Sequence, residues 1–204
     1  DNSGATYDGI TYNNLLYTTS GTECTTENTP MLSATTGTLY GYFPYNSGVT
    51  DITQIPVTAG DTDYMYATPV QNLSDGKPTA NMQMNHALAV IRLNIVRGTY
   101  TGTGAVTSVI VKGDNIATAG TLDAETGALS SQTGAGEAIT NTTAFTLSAQ
   151  AKQIDNIIVP VTSSSATPTF TMTIDGTEYI ATADAVSLEQ GYIYTYTLTV
   201  NGKD

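Results

Sequence analysis

Apolar and polar side chains alternate at period two along much of the 204 residues, and clusters of Gly, Pro, Asn and Asp interrupt the alternation. A chain of short strands joined by turns reads this way. The first clear segment is Thr38 to Tyr45, where Leu39, Gly41, Phe43 and Tyr45 alternate with Tyr40, Tyr42 and Pro44. Pro44 has no amide to donate, so the strand is expected to end there or to run along an edge. Asp63 to Thr68 predicts a second short strand, and Asp75-Gly76 a turn. In the long segment Thr79 to Val96, Ala87, Ala89, Ile91, Leu93 and Ile95 share one face, with Leu88, Val90 and Val96 on the other. Apolar residues on both faces predict a central strand covered on two sides for part of its length.

Arg97 to Ala105 is short, holds three glycines and separates two series of strands, which makes it the expected domain boundary. Strands are expected after it at Val106 to Lys112, Ile116 to Leu122, Ala128 to Ser131, Ala144 to Ser148, Asn156 to Val161, Thr169 to Ile174, Glu178 to Ala183 and Tyr192 to Val200. Asp175-Gly176, between TFTMTI and TEYIAT, suits the positive φ angles of a type I′ hairpin. Asp123 to Gly127 predicts a type I turn closed by a glycine bulge. Only Ser187 to Gln190 offers a helical turn, ended by Gly191. In the last strand Tyr192, Tyr194, Tyr196, Leu198 and Val200 share a face, opposite Ile193, Thr195, Thr197 and Thr199. Strands every 8–12 residues without intervening helices predict an all-β fold of antiparallel sandwich type.

Composition agrees with strands, since 13 Tyr and abundant Thr, Val and Ile favour pleated, half-buried positions. Charge narrows the function. Six basic residues (Lys77, Arg92, Arg97, Lys112, Lys152 and Lys203) against 18 acidic ones give a net charge of −12. Nucleic acids and anionic lipids are bound through clustered cations, so neither is an expected partner. The longest purely apolar runs, such as Ala87 to Ile91, are far shorter than a bilayer span. Asp1 to Gly4 are polar and acidic, unlike a signal peptide, so an exported form is expected to be a mature or trimmed one.

Candidate chemistry is sparse. His86 is the only histidine, so any Ser-His-Asp or Cys-His scheme must pass through it, yet no G-x-S-x-G nucleophile turn occurs. It reads as a strand-end imidazole bonded to a neighbouring loop. Cys24, the only cysteine, lies in the polar run Ser20 to Thr29 and reads as a free thiol in a loop. Asp51, Asp61 and Asp63 are oxygen donors of the kind calcium prefers, but they lack EF-hand spacing and read as solvated turns. Tyr40, Tyr42, Tyr64 and Tyr66 read as half-buried sheet positions, with weak sugar stacking as the alternative. Gly102-Thr103-Gly104 resembles a phosphate loop, but a strand rather than a helix follows it. Eighteen acids formally allow a carboxylate pair for hydrolysis, but nothing places two of them across a cleft. No catalytic, cofactor-binding or metal-binding residue is therefore assigned, and no enzyme is expected.

The ordered strings YFPY (Tyr42 to Tyr45), DYMYA (Asp63 to Ala67) and NMQMNHALAVIRLNI (Asn81 to Ile95) resemble the fimbrillin family of Bacteroidetes. AGTLDAETGALS, the IIVPV strand and the closing GYIYTYTLTV follow in the same order, so the resemblance covers most of Leu39 to Val200. It implies two tandem transthyretin-like β sandwiches, residues 1–100 and 104–204. It further implies a lipoprotein precursor carried to the outer membrane, with the mature chain on the cell surface or in a fimbria. Its partners would be other pilin subunits, joined by donor-strand addition, and a host or bacterial surface receptor. Two features depart from such relatives. No Lys or Arg precedes Lys77 for a protease that cuts after Arg, and Cys24 lies well inside rather than at a lipidated start. The chain also stops at Asn201 to Asp204, just past the last strand. The alternative to a structural subunit or adhesin is a surface glycan- or ligand-binding module.

Overall fold

The computed structural model describes residues 6–161 and 164–202. The expectations on Asp1 to Gly4, Lys203 and Asp204 lie outside the described residues. The protein is all-β, and no helix occurs among the described residues. In chain order the strands are β1 (Thr18–Ser20), β2 (Glu23–Thr25), β3 (Gly37–Leu39), β4 (Tyr42–Phe43), β5 (Ile55–Thr58), β6 (Met65–Ala67), β7 (Val70–Leu73), β8 (Met84–His86) and β9 (Ala89–Arg97). They continue as β10 (Ala105–Lys112), β11 (Ile116–Ala117), β12 (Ala119–Leu122), β13 (Leu129–Thr133), β14 (Ile139–Asn141), β15 (Phe145–Thr146) and β16 (Lys152–Pro160). The last five are β17 (Ser165–Ala166), β18 (Thr169–Ile174), β19 (Thr177–Thr182), β20 (Val186–Ser187) and β21 (Ile193–Val200).

The chain forms two compact units, and they are not its two halves. The first comprises Asp1–Pro56, Tyr64–Ala87 and Thr121–Ser130; the second comprises Val57–Asp63, Leu88–Gly120 and Ser131–Asp204. The division expected at residues 100–104 thus falls inside the second unit. The reason is pairing: β9 is hydrogen-bonded to β16 and β21, far along the chain, and so belongs with them.

The second unit is a sandwich of two sheets. One runs in the order β14-β10-β18-β19, with β15 also pairing with β10; the other runs β11-β16-β9-β21. Inward-facing residues of each strand meet in a common core: Ile91, Leu93 and Ile95 from β9, Val106, Val109 and Val111 from β10 with a register shift between Val106 and Ser108, and Phe170, Met172 and Ile174 from β18. Phe170 is 1% exposed, and the β9 trio is no more exposed than that. Burying side chains of this size contributes roughly 1.5–3 kcal/mol each. The Asp175-Gly176 turn has the expected positive φ at both residues, 49° and 77°, and joins β18 and β19 with Ile174 opposite Thr177. One pairing departs from an antiparallel sandwich: β21 runs parallel to β9, with Tyr194 opposite Ile91 and Leu198 opposite Ile95.

The first unit is built from shorter pieces. β1 pairs with β2, β3 with β7, and β6 lies between β4 and β8. Side-chain hydroxyls and amides hold the long connections. The Tyr7 hydroxyl bonds the Thr35 carbonyl at 2.5 Å and receives the Ser33 amide at 3.0 Å. The Tyr42 hydroxyl donates to Asn14 Oδ1 at 2.6 Å, while Asn14 Nδ2 reaches the carbonyls of Asn46 and Val49. Asp123 closes its turn as expected: its amide meets the Ala128 carbonyl, its carboxylate takes the Glu125 amide, and Gly127 has a φ of 78°.

Three sequence expectations change. Thr38 to Tyr45 is two strands, β3 and β4, which pair with different partners, β7 and β6. Thr79 to Val96 breaks after His86, where Ala87 and Leu88 leave the ladder with both side chains buried; His86 therefore ends a separate short strand, β8. Ser187 to Gln190 is not a helical turn, because Ser187 belongs to β20 and pairs with Ser165, while Leu188 is buried.

Candidate functional site

The two sides of the sandwich in the second unit end differently. On one side the outermost strands are β11, β14 and β15, of two to three residues each. Short, broken edges offer little backbone for another chain to pair with. On the other side stand β19, six residues long, and β21, eight residues long. Among the described residues β19 pairs only with β18, and β21 only with β9.

These two long edges bound the same side of the sandwich. The rings of Phe170 on β18 and Tyr196 on β21 lie 5.0 Å apart at 52°, so β21 packs across from β18, next to which β19 runs. Between the edges lies a row of half-buried apolar side chains packed on the core: Tyr179 and Ala181 from β19, and Tyr194, Tyr196 and Leu198 from β21. Ile180 and Ile193 on the same strands are 68% and 52% exposed. Burial raises the Tyr196 phenol above its ordinary pKa, with the Tyr194 phenol adding to the effect.

Both ends of this row are fixed. At one end the Tyr194 hydroxyl donates to the Ser187 carbonyl at 3.0 Å and accepts the Glu189 amide at 2.9 Å. This ties the connection from β20 to β21. At the other end the Tyr100 ring meets Tyr179 edge-on at 6.0 Å, and its hydroxyl donates to Asp175 at 2.8 Å. The same carboxylate accepts the Gly104 and Ala105 amides, each at 2.8 Å. The Gly104 amide, then the Tyr100 hydroxyl and the Ala105 amide, hold the Asp175 carboxyl below its usual range. In turn the bond to Asp175 pushes the Tyr100 phenol up to about 12. Arg97 reaches the carbonyls of Gly102 and Thr103. The glycine-rich segment before β10 is thus a pinned loop.

An extended segment laid along β19 or β21 would take up bare backbone hydrogen-bonding groups and could bury alternate apolar side chains on the half-covered row.

The residues singled out by chemistry lie elsewhere. His86 is exposed at the end of β8, opposite Met65. Cys24 is exposed too, but in the β1–β2 hairpin opposite Thr19, not in a loop. The Asp51 carboxylate is occupied by the Thr53 hydroxyl at 2.7 Å and the Thr53 amide at 2.9 Å, which lower its pKa. Among the described residues no group of three or more His, Cys, Asp or Glu is placed to hold a metal ion. Tyr40, Tyr42, Tyr64 and Tyr66 are all half-buried. What sequence reasoning missed is the bare side of the sandwich; the only local signal was the alternation of Tyr194, Tyr196 and Leu198.

The fold defines a class, an all-β protein built on a two-layer sandwich. More narrowly, the chain belongs to the fimbrillin-like family, whose model matches residues 1–204. Its fold is shared with candidate cell adhesion proteins of Bacteroides. One from Bacteroides ovatus has a TM-score of 0.71 at 16% identity, covering 98% of this chain and 80% of that one. Another, from Bacteroides uniformis, has a TM-score of 0.61 at 23% identity over 79% of this chain and 67% of that one. A third, from Bacteroides fragilis, has a TM-score of 0.56 at 15% identity over 82% and 61% respectively. No curated protein matches the sequence.

Proposed function

We propose that this chain is a non-enzymatic fimbrial subunit or surface adhesin that coheres with other subunits by strand addition along the β19–β21 side of its second unit. Membership of the fimbrillin-like family supports a structural, cell-surface role. The observation that carries the mechanism is the pair of long edges, six and eight residues, flanking half-buried Tyr179, Ala181, Tyr196 and Leu198. The occupant is an extended segment of another pilin subunit with apolar residues at alternate positions, because successive side chains of a strand point to opposite faces. Export to the outer membrane through a lipid anchor on the precursor, and a receptor on a host or bacterial surface, belong to the same reading.

The experiment is to charge the edges without touching the core. Ile180→Lys and Thr195→Lys replace exposed side chains on β19 and β21, and lysine on an edge opposes strand addition. Purified wild-type subunits, mixed with native pilin material, should give ladders that survive mild detergent. The double variant should fold normally and give none. Ladders of equal yield from the folded double variant would overturn strand addition at this side.

A further inference from the structure

The first unit carries an open depression of about 410 Å³, at the lower end of the size range of small-ligand sites, roughly 300–1,000 Å³. Its lining includes Tyr45, Tyr64, Pro44, Pro56, Asn46 and Ser47, and no charged side chain contributes to it. Ile55, 2% exposed, also faces it. Tyr45, two residues past the end of β4, is 41% exposed. That leaves a ring presented to solvent beside polar groups.

Asn46 supplies direction. Its Oδ1 accepts the Gly48 amide at 2.9 Å, its backbone carbonyl accepts Asn14 Nδ2 at 2.9 Å, and its own backbone amide donates to the Tyr42 hydroxyl at 3.3 Å. These bonds fix the residue and decide which end of its amide is nitrogen. Asn46 Nδ2 donates to no atom of the described residues. Asn46 lines the depression together with two tyrosines and Ser47, and a pyranose ring needs such a combination: a flat apolar patch for its C–H face and polar groups for its hydroxyls.

We infer that this depression is a binding site for a neutral saccharide. Neutrality follows from the uncharged lining together with the net charge of −12, which repels sialylated and sulfated glycans. A proline-rich peptide is the competing occupant, since such segments dock on aromatic residues. They do so along extended grooves, whereas this site is a single compact depression. The inference is independent of strand addition, because every residue named for it belongs to the first unit.

The test uses the full chain, with saturation-transfer NMR and titration against galactose, mannose, N-acetylglucosamine and their neutral oligomers. Sialyllactose and a proline-rich decapeptide are run in parallel. Saturation should pass to at least one neutral sugar, and the Asn46 side-chain amide resonance should shift on titration. Tyr45→Ala, which removes the ring, and Asn46→Asp, which keeps the acceptor for Gly48 but loses the donor, should each weaken binding about five- to tenfold, the worth of a good hydrogen bond or ring contact. Tyr45→Phe should retain it. Asn46→Asp is the variant least disturbing to the fold, and an amide spectrum of each variant checks that the fold is intact. The inference is overturned if no neutral sugar binds, if only sialyllactose or the peptide binds, or if folded Tyr45→Ala and Asn46→Asp bind sugar like the wild type.

Discussion

The two units solve the same problem by different means. In the second, strands of six to nine residues (β9, β10, β16, β18, β19 and β21) interlock around one apolar core. In the first, the strands β1–β4 and β6–β8 are two to four residues long, and connections are held by single polar anchors such as Tyr7, Asn14 and Tyr42. Apolar packing is cooperative and tolerates bare edges, so the second unit can keep a long side unpaired and remain folded. A unit tied by hydroxyls and amides leaves its loops at the surface, where they can present side chains to a ligand. On the readings proposed above, cohesion and recognition would fall to different parts of the molecule.

The contrast is most easily broken through the cores. Phe170→Ala should cost about 3–5 kcal/mol, because it empties a space between two sheets that cannot collapse onto it. Ile52→Ala, in the first unit, should fall near 2 kcal/mol, the low end of the range for such truncations. Denaturant titration of both variants measures the difference, and equal losses would contradict the contrast. A smaller effect should sharpen it. Tyr42→Phe deletes a hydroxyl that joins Asn14 to the Asn46 backbone amide and should cost about 0.5–1.5 kcal/mol. Hydrogen exchange in that variant should rise in residues 42–49 and stay unchanged in β9 and β18.

The smallest expected effect is electrostatic. Asp175 and Asp155 have folded pKa values below the ordinary carboxylate value of about 3.9, Asp175 mainly through the Gly104 amide and Asp155 mainly through Arg92. A lowered folded pKa adds stability that is present above the unfolded value and is lost as pH falls through the folded one. Melting curves from pH 6 to pH 2 should therefore show a decline beginning near pH 4. Asp175→Asn should melt lower at pH 6 and show a shallower decline, and an unchanged acid limb in this variant would remove Asp175 from the account.

Much of the second unit was legible because its signals are local. TFTMTI, Asp175-Gly176 and TEYIAT specify a hairpin from alternation and turn chemistry alone, and β18 begins and ends where the alternation does. The parallel pairing of β21 with β9 was not legible, because alternation says which face a side chain takes and nothing about the partner strand. The break at Ala87 and Leu88 was hidden for a related reason: both side chains are buried, so the backbone bends without exposing an apolar residue. Tyr42 looked like a sheet tyrosine, and its role as a loop anchor depends on Asn14, 28 residues away. The bare side between β19 and β21 could not be read either, since an edge is defined by a neighbour that is not there.

Hydrogen exchange of the β19 and β21 amides, in the isolated subunit and in assembled material, tests the central claim most directly. Strand addition predicts that outward-facing amides within Thr177–Thr182 or Ile193–Val200 exchange readily in the monomer and become protected on assembly, with β14 and β15 unchanged. Assembled material in which both long edges exchange as fast as in the monomer would contradict it.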